Sequence, residues 1–317
     1  MKKRILSILL LCCMVLTLLP TTVLAADGPM DTIPKYDVSI DVYNRTSDIS
    51  IKDSRSYYIY SSVPDKLRDT WAWDKKIFIK GDKTAPHVFI DGVNIEMSPS
   101  SKGPAIELNK KASAYIYFIG KNSSLQGADG RAAIQKNRSE GQLYVLARTG
   151  TTVTCKGGDK AAGIGGSYAT RNISNGYYNG DMYGHGVNMH FGSQSNPDYW
   201  GGIIAAIGGN GGAGIGGGAE KTGSSITIQG GAVKAVGGSN AAGIGDGAGP
   251  WSEPDPDTPP SNPSNPNNII ICGDAEVTAK AGSWMTDAKA PAIGGKYGEV
   301  PTDALSDEEH KVTGGRL

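Results

Sequence analysis

The chain is short of cysteine, phenylalanine and histidine, with only 4 of each among 317 residues. Cys12 and Cys13 fall inside an apolar leader, so only Cys155 and Cys272 remain beyond it, too few for a disulfide framework. Both read as small buried hydrophobes on different strands. Neither sign of charge is in excess: 31 Lys and Arg face 31 Asp and Glu, which removes the electrostatic footprint of a nucleic-acid binder. Hydrophobic residues make 38% of the chain, too many for a wholly disordered polymer. Long helical periodicity is also missing. The 45 glycines would each cost a helix roughly 0.8–1 kcal/mol, and they lack the every-third spacing of collagen. The 14 Tyr and 5 Trp far outnumber Phe, so most rings carry a polar tip.

What is present begins with a targeting segment. Lys2-Lys3-Arg4 forms a basic start, Ile5 to Leu19 is almost unbroken apolar sequence, and Val23-Leu24-Ala25 offers small residues for cleavage. Residues 1–25 therefore read as a secretory signal peptide, and the run is short for a membrane span. The expected location is outside the cell or on its surface, with no membrane contact after cleavage. Removing the leader leaves a small acidic excess.

The remainder repeats. Ile106, Ile134, Ile164, Ile215, Ile244 and Ile293 each follow Ala or Ala-Gly, and most lead into Gly. Their spacings are 28, 30, 51, 29 and 49 residues, so two intervals carry about 20 extra. The surplus lies in a Tyr/Asn/Gly-rich insert at 167–201 and a Pro/Asn/Asp-rich insert at 246–268. Two further phrases recur in each unit. One is apolar alternation ending near Gly, as in Tyr115-Ile116-Tyr117-Phe118-Ile119-Gly120 and Ile226-Thr227-Ile228-Gln229-Gly230. The other is Val153-Thr154-Cys155-Lys156-Gly157-Gly158, which returns at Val233 to Gly238.

Three short strands per repeat of about 29 residues, with Gly turns between them, specify one coil of a parallel β-helix. The predicted fold is all-β: a right-handed parallel β-helix of six to seven coils over 76–295. Stacked coils pair in parallel at about 4.8 Å, and each position recurs as a column of like residues. Residues 26–75, with alternating Val38-Ser39-Ile40-Asp41-Val42-Tyr43, read as an N-terminal β cap and a partial first coil. An open parallel edge needs such cover. Residues 296–317 form a tail, and the whole reads as a monomer.

The run Ile226 to Gly245 resembles the repeats of secreted β-helix proteins of Gram-positive anaerobes, grouped as carbohydrate-binding-domain-containing proteins with a pectate-lyase-like fold. The resemblance covers about Lys76 to Gly295. It implies the surface of a Gram-positive bacterium, and acidic plant or cell-wall polysaccharides as partners, with calcium.

Candidate ligand residues concentrate in the inserts. Tyr177, Tyr178, Tyr183, Tyr199 and Trp200, joined by Trp251 on a neighbouring coil, offer flat amphipathic rings suited to sugars. The same rings can instead pin the insert to the coil. Asp246, Asp255 and Asp257 are hard oxygen ligands of the type calcium takes, though interleaved Pro also suits a stiff exposed loop. His185 and His190 lie five apart, too few ligands for a metal site by themselves. The stretch Gly209 to Gly214 matches G-x-G-x-x-G but precedes no helix, so it reads as a turn.

Catalysis finds little support. A lyase needs an acidic cluster and a Lys or Arg base, and a glycosidase needs two or three carboxylates on one groove. Lys234 and Lys280 are expected to stack on neighbouring coils, but no Asp accompanies them. The expected role is non-catalytic polysaccharide binding. An adhesive or structural surface protein that binds host or neighbouring-cell protein is the alternative, and a lyase or glycosidase comes third.

Overall fold

The computed structural model describes residues 34–98, 103–109, 111–136, 140–168, 184–196, 198–249, 269–283, 292–294 and 310–313. Contacts divide the chain into Met1–Pro34 and Lys35–Leu317, and the fold belongs to the second unit. The expected signal peptide, residues 1–25, and most of the expected tail lie outside the described residues.

The protein is a parallel β-helix of three sheets. The first sheet has eight strands, running from Val38–Asp41 through Ser56–Tyr60, His87–Asp91, Ala114–Ile119, Leu143–Ala147, Gly186–Phe191 and Gly223–Ile228 to Ile269–Ile271. The second also has eight, from Ile49–Ile51 to Ile293–Gly294, and the third has seven. From His87 onward each coil contributes one strand to the first sheet, then one to the third, then one to the second. Six such coils follow one another.

The parallel stack begins at Val38, ahead of the boundary at 76. Val38–Asp41 pairs with Ser56–Tyr60, and Ile49–Ile51 pairs with Ile77–Lys80, all in parallel. These two leading turns supply no full strand to the third sheet. Trp73 takes that place through a single bridge to Ile95. Its indole Nε1 donates to the Arg45 carbonyl at 2.8 Å, and the ring is 3% exposed, so it fills the interior that a strand would otherwise line.

The core is a set of columns. Ile49, Ile77, Ile106, Ile134, Ile164, Ile215, Ile244 and Ile293 stand in one unbroken register along the second sheet. Seven of the eight are buried. Each fully buried aliphatic side chain stabilises by about 1.5–3 kcal/mol. The third sheet adds Ile95, Leu125, Cys155, Ala206, Ala235 and Ala279 in one inward column. Cys155 is buried and Cys272 half-buried, neither is in a disulfide, and burial pushes the Cys155 thiol upward in pKa.

Glycine is required where coils touch backbone to backbone. Gly216 has φ +139, and a Cβ there would lie 1.9 Å from the Gly245 carbonyl oxygen. Gly165 meets the Gly216 carbonyl in the same way at 2.2 Å. Two-residue Ile-Gly strands therefore let the corner close tightly, whereas Ile77–Lys80 and Ile106–Asn109 earlier in the sheet run to four residues.

One reversal breaks the parallel pattern. His310–Thr313 pairs antiparallel with Glu276–Lys280 at the end of the third sheet. The register also separates the two lysines expected to stack: Val233 pairs with Val277, so Lys234 stands opposite Thr278 and Lys280, two positions further along its strand, opposite Val236.

Candidate functional site

Alternation along the first sheet sends one set of side chains into the core and the other outward. Tyr57, Val88, Ile116, Val145 and Phe191 point in and join the main core. The outward set begins with Ser56, then His87, Tyr115, Tyr144, His190 and Thr227, one per coil. Four of these are rings and form a ladder. Successive centroids lie 4.6, 4.5 and 4.6 Å apart, with planes 11°, 8° and 15° from parallel. That spacing follows from strand separation, since residues in register on neighbouring parallel strands repeat at about 4.8 Å.

A second outward row runs beside the first: Tyr58, Phe89, Tyr117 and Leu146. These residues form an apolar cluster on the outside of the helix, together with Ile119 and Trp200. Tyr199 and Trp200 fold over it. Trp200 is 7% exposed and packs on Tyr117 at 5.3 Å, and Tyr199 meets Trp200 edge to face at 4.6 Å. Thr149 anchors this roof. Its N–H donates to the Tyr199 carbonyl, and its hydroxyl accepts from the Gly201 N–H at 3.0 Å.

The two expected ring contacts that lie among the described residues thus belong to this cluster. Trp200 is a roof over other rings and offers no open face. Tyr199 is half-buried beside it. Tyr177, Tyr178, Tyr183 and Trp251 lie outside the described residues, as do Asp255 and Asp257. Asp246 sits at the corner leading to the first sheet, where one carboxylate oxygen accepts from the Gly223 N–H at 3.0 Å. Among the described residues, no group of three or more His, Cys, Asp or Glu could hold a metal ion. His185 Nδ1 is 2.8 Å from the Thr222 hydroxyl, whereas His190 stands in the ladder, so the two imidazoles serve different elements.

The electrostatics of the ladder are those of a neutral strip. Burial lowers the pKa of His87 and brings that of His190 down to about 4, so both rings are uncharged near neutral pH. Burial also raises Tyr115 and pushes Tyr144 up to about 12. His87 Nδ1 hydrogen-bonds Tyr117 Oη at 3.0 Å, and Tyr144 Oη donates to Gln142 Oε1. Because the rings stack face to face, the surface receives their edges and polar tips. The ladder thus presents a line of neutral hydrogen-bonding groups along the helix axis, with apolar ring edges between them.

The ladder was not singled out in the sequence, although its members occupy alternate positions of a recognised repeat. Each coil shows just one ring of it. The signal lies in the spacing of His87, Tyr115 and Tyr144, 28 and 29 residues, before the insert stretches the step to His190.

No family model, curated protein or solved structure matches this chain.

Proposed function

We propose that the protein is a secreted or surface-associated, non-catalytic polysaccharide-binding β-helix, with its ligand lying along the outer face of the first sheet. The observation that carries this reading is the ladder of His87, Tyr115, Tyr144 and His190, half-buried and continuous over four coils. A polysaccharide presents hydroxyls and C–H surface at a regular repeat. A straight row of neutral donors, acceptors and apolar edges at a fixed step matches both features. The resemblance in the repeats adds the same expectation.

The experiment is retention of the full mature chain on immobilised glycans, with release of unsaturated or reducing sugar assayed in the same samples. The expected result is retention without turnover. Retention by no glycan removes the reading.

The alternative is an adhesive or structural surface protein. It is favoured by the packing of Trp200, since a ring spent on roofing its neighbours stiffens the scaffold and is withdrawn from ligand. The same glycan panel, run beside capture of purified surface proteins, separates the two readings.

A further inference from the structure

We infer that the strip takes an uncharged polysaccharide, its chain running parallel to the helix axis; this rests on the glycan reading of the same face and replaces the acidic polymer that the resemblance implies. The outward column Ser56, His87, Tyr115, Tyr144, His190 and Thr227 contains no Lys or Arg. Three of the cations near it stand next to carboxylates. Arg55 is 3.0 Å from Asp53, Lys111 is 3.7 Å from Glu140, and Lys121 is 2.8 Å from Asp65. Four residues along the strand from His87, the outward position is a carboxylate. Asp91, in register with Ile119, accepts from the Tyr58 hydroxyl at 2.8 Å and from the Lys121 N–H at 2.9 Å. A uronate chain laid here would desolvate its carboxylates against neutral rings, with no cation in the column to compensate them. An uncharged chain meets no such cost, and its hydroxyls find partners at each coil.

The direction follows from the same geometry. The polar tips repeat along the axis at the 4.5–4.6 Å step of the ladder, and across the strands the next outward row is roofed by Trp200. A linear polymer therefore has one open track.

The test is affinity electrophoresis of the mature chain in gels containing mixed-linkage β-glucan, xyloglucan, galactomannan or polygalacturonate, at low and high salt, with calcium or with chelator. Expected is retardation by at least one neutral polymer, unchanged by salt and by calcium, and none by polygalacturonate. Tyr144→Phe, which keeps the stacked ring and deletes one tip, should weaken retardation by up to about tenfold, the effect of one lost hydrogen bond. Its unfolding midpoint should stay at the parent value, which separates contact from folding. Retardation by polygalacturonate as strong as by any neutral polymer overturns the inference and leaves the glycan reading standing. Retardation by none of the four, with no retention on the wider panel, overturns both. Neutral binding that Tyr144→Phe does not weaken places the ligand elsewhere and also overturns the inference.

Discussion

Tyr115 and Tyr144 stack with centroids 4.5 Å apart and planes 8° from parallel, although 29 residues separate them in the chain. Two coils are locked together on their outer surface by this pair, in addition to the isoleucine column inside. An aromatic pair contributes about 0.5–1.5 kcal/mol beyond area burial, and Tyr144 also stacks on His190. Tyr144→Ala should therefore destabilise by about 1–3 kcal/mol, read as a lowered midpoint in urea. Tyr144→Phe should shift that midpoint little.

The glycine column makes a sharper demand. At Gly216 an alanine Cβ would overlap the Gly245 carbonyl oxygen in a backbone conformation at φ +139. Overpacking and left-handed strain together cost Gly216→Ala about 3 kcal/mol or more. Gly150 has φ +82 with nothing within 4 Å of a built Cβ, so Gly150→Ala should cost only about 1–2 kcal/mol. Soluble yield and urea midpoints of the two variants check the contrast. Equal effects would remove the close-contact explanation.

Acid should weaken the ladder. His190 titrates near 4 when folded and near 6.5 when unfolded, so the unfolded chain binds the proton first as pH falls. Its contribution is complete above about pH 6.5 and is lost progressively down to about pH 4, on the order of 3 kcal/mol. His87, lowered by the same cause, adds to the trend. In His190→Phe, which keeps a stackable ring, the pH slope of stability across this window should be shallower than in the parent.

Lys136 acts in the same direction at alkaline pH. Its side chain occupies the register of Leu108, is 1% exposed, and its Nζ donates to the Glu140 carbonyl at 3.0 Å. Burial brings its pKa down to about 8, below the ordinary lysine value of 10.5. The folded chain thus releases this proton before the unfolded chain does, and stability rises with pH from about 8 to about 10.5. Lys136→Met should flatten that rise and leave stability at pH 7 equal or higher, since apolar replacement of a buried charge is often neutral or stabilising.

Much of the fold was legible because the core repeats at a fixed step. Six isoleucines of the column announce themselves through a preceding Ala or Gly. Ile49 and Ile77 keep the same 28- and 29-residue spacing, but Asp48 and Lys76 precede them, so the two leading turns read as a cap. Their corners use longer side chains in place of the small residues that mark later coils. The candidate site was less legible. Sequence reasoning looked for rings in the inserts, where they cluster along the chain. The structure assembles a row of rings from separate coils, a proximity that only stacking creates. Trp200 was visible as a ring, but the presence of Tyr117 beneath it depends on register.

The stacking direction has a mechanical consequence. Hydrogen bonds between coils run along the helix axis, so an axial pull loads them end-on and peels one coil at a time. A sideways pull on a strand shears a whole ladder at once, and the stacked rings resist with it. The molecule is therefore anisotropic under force, toughest against drag across its long axis and most yielding to tension along it.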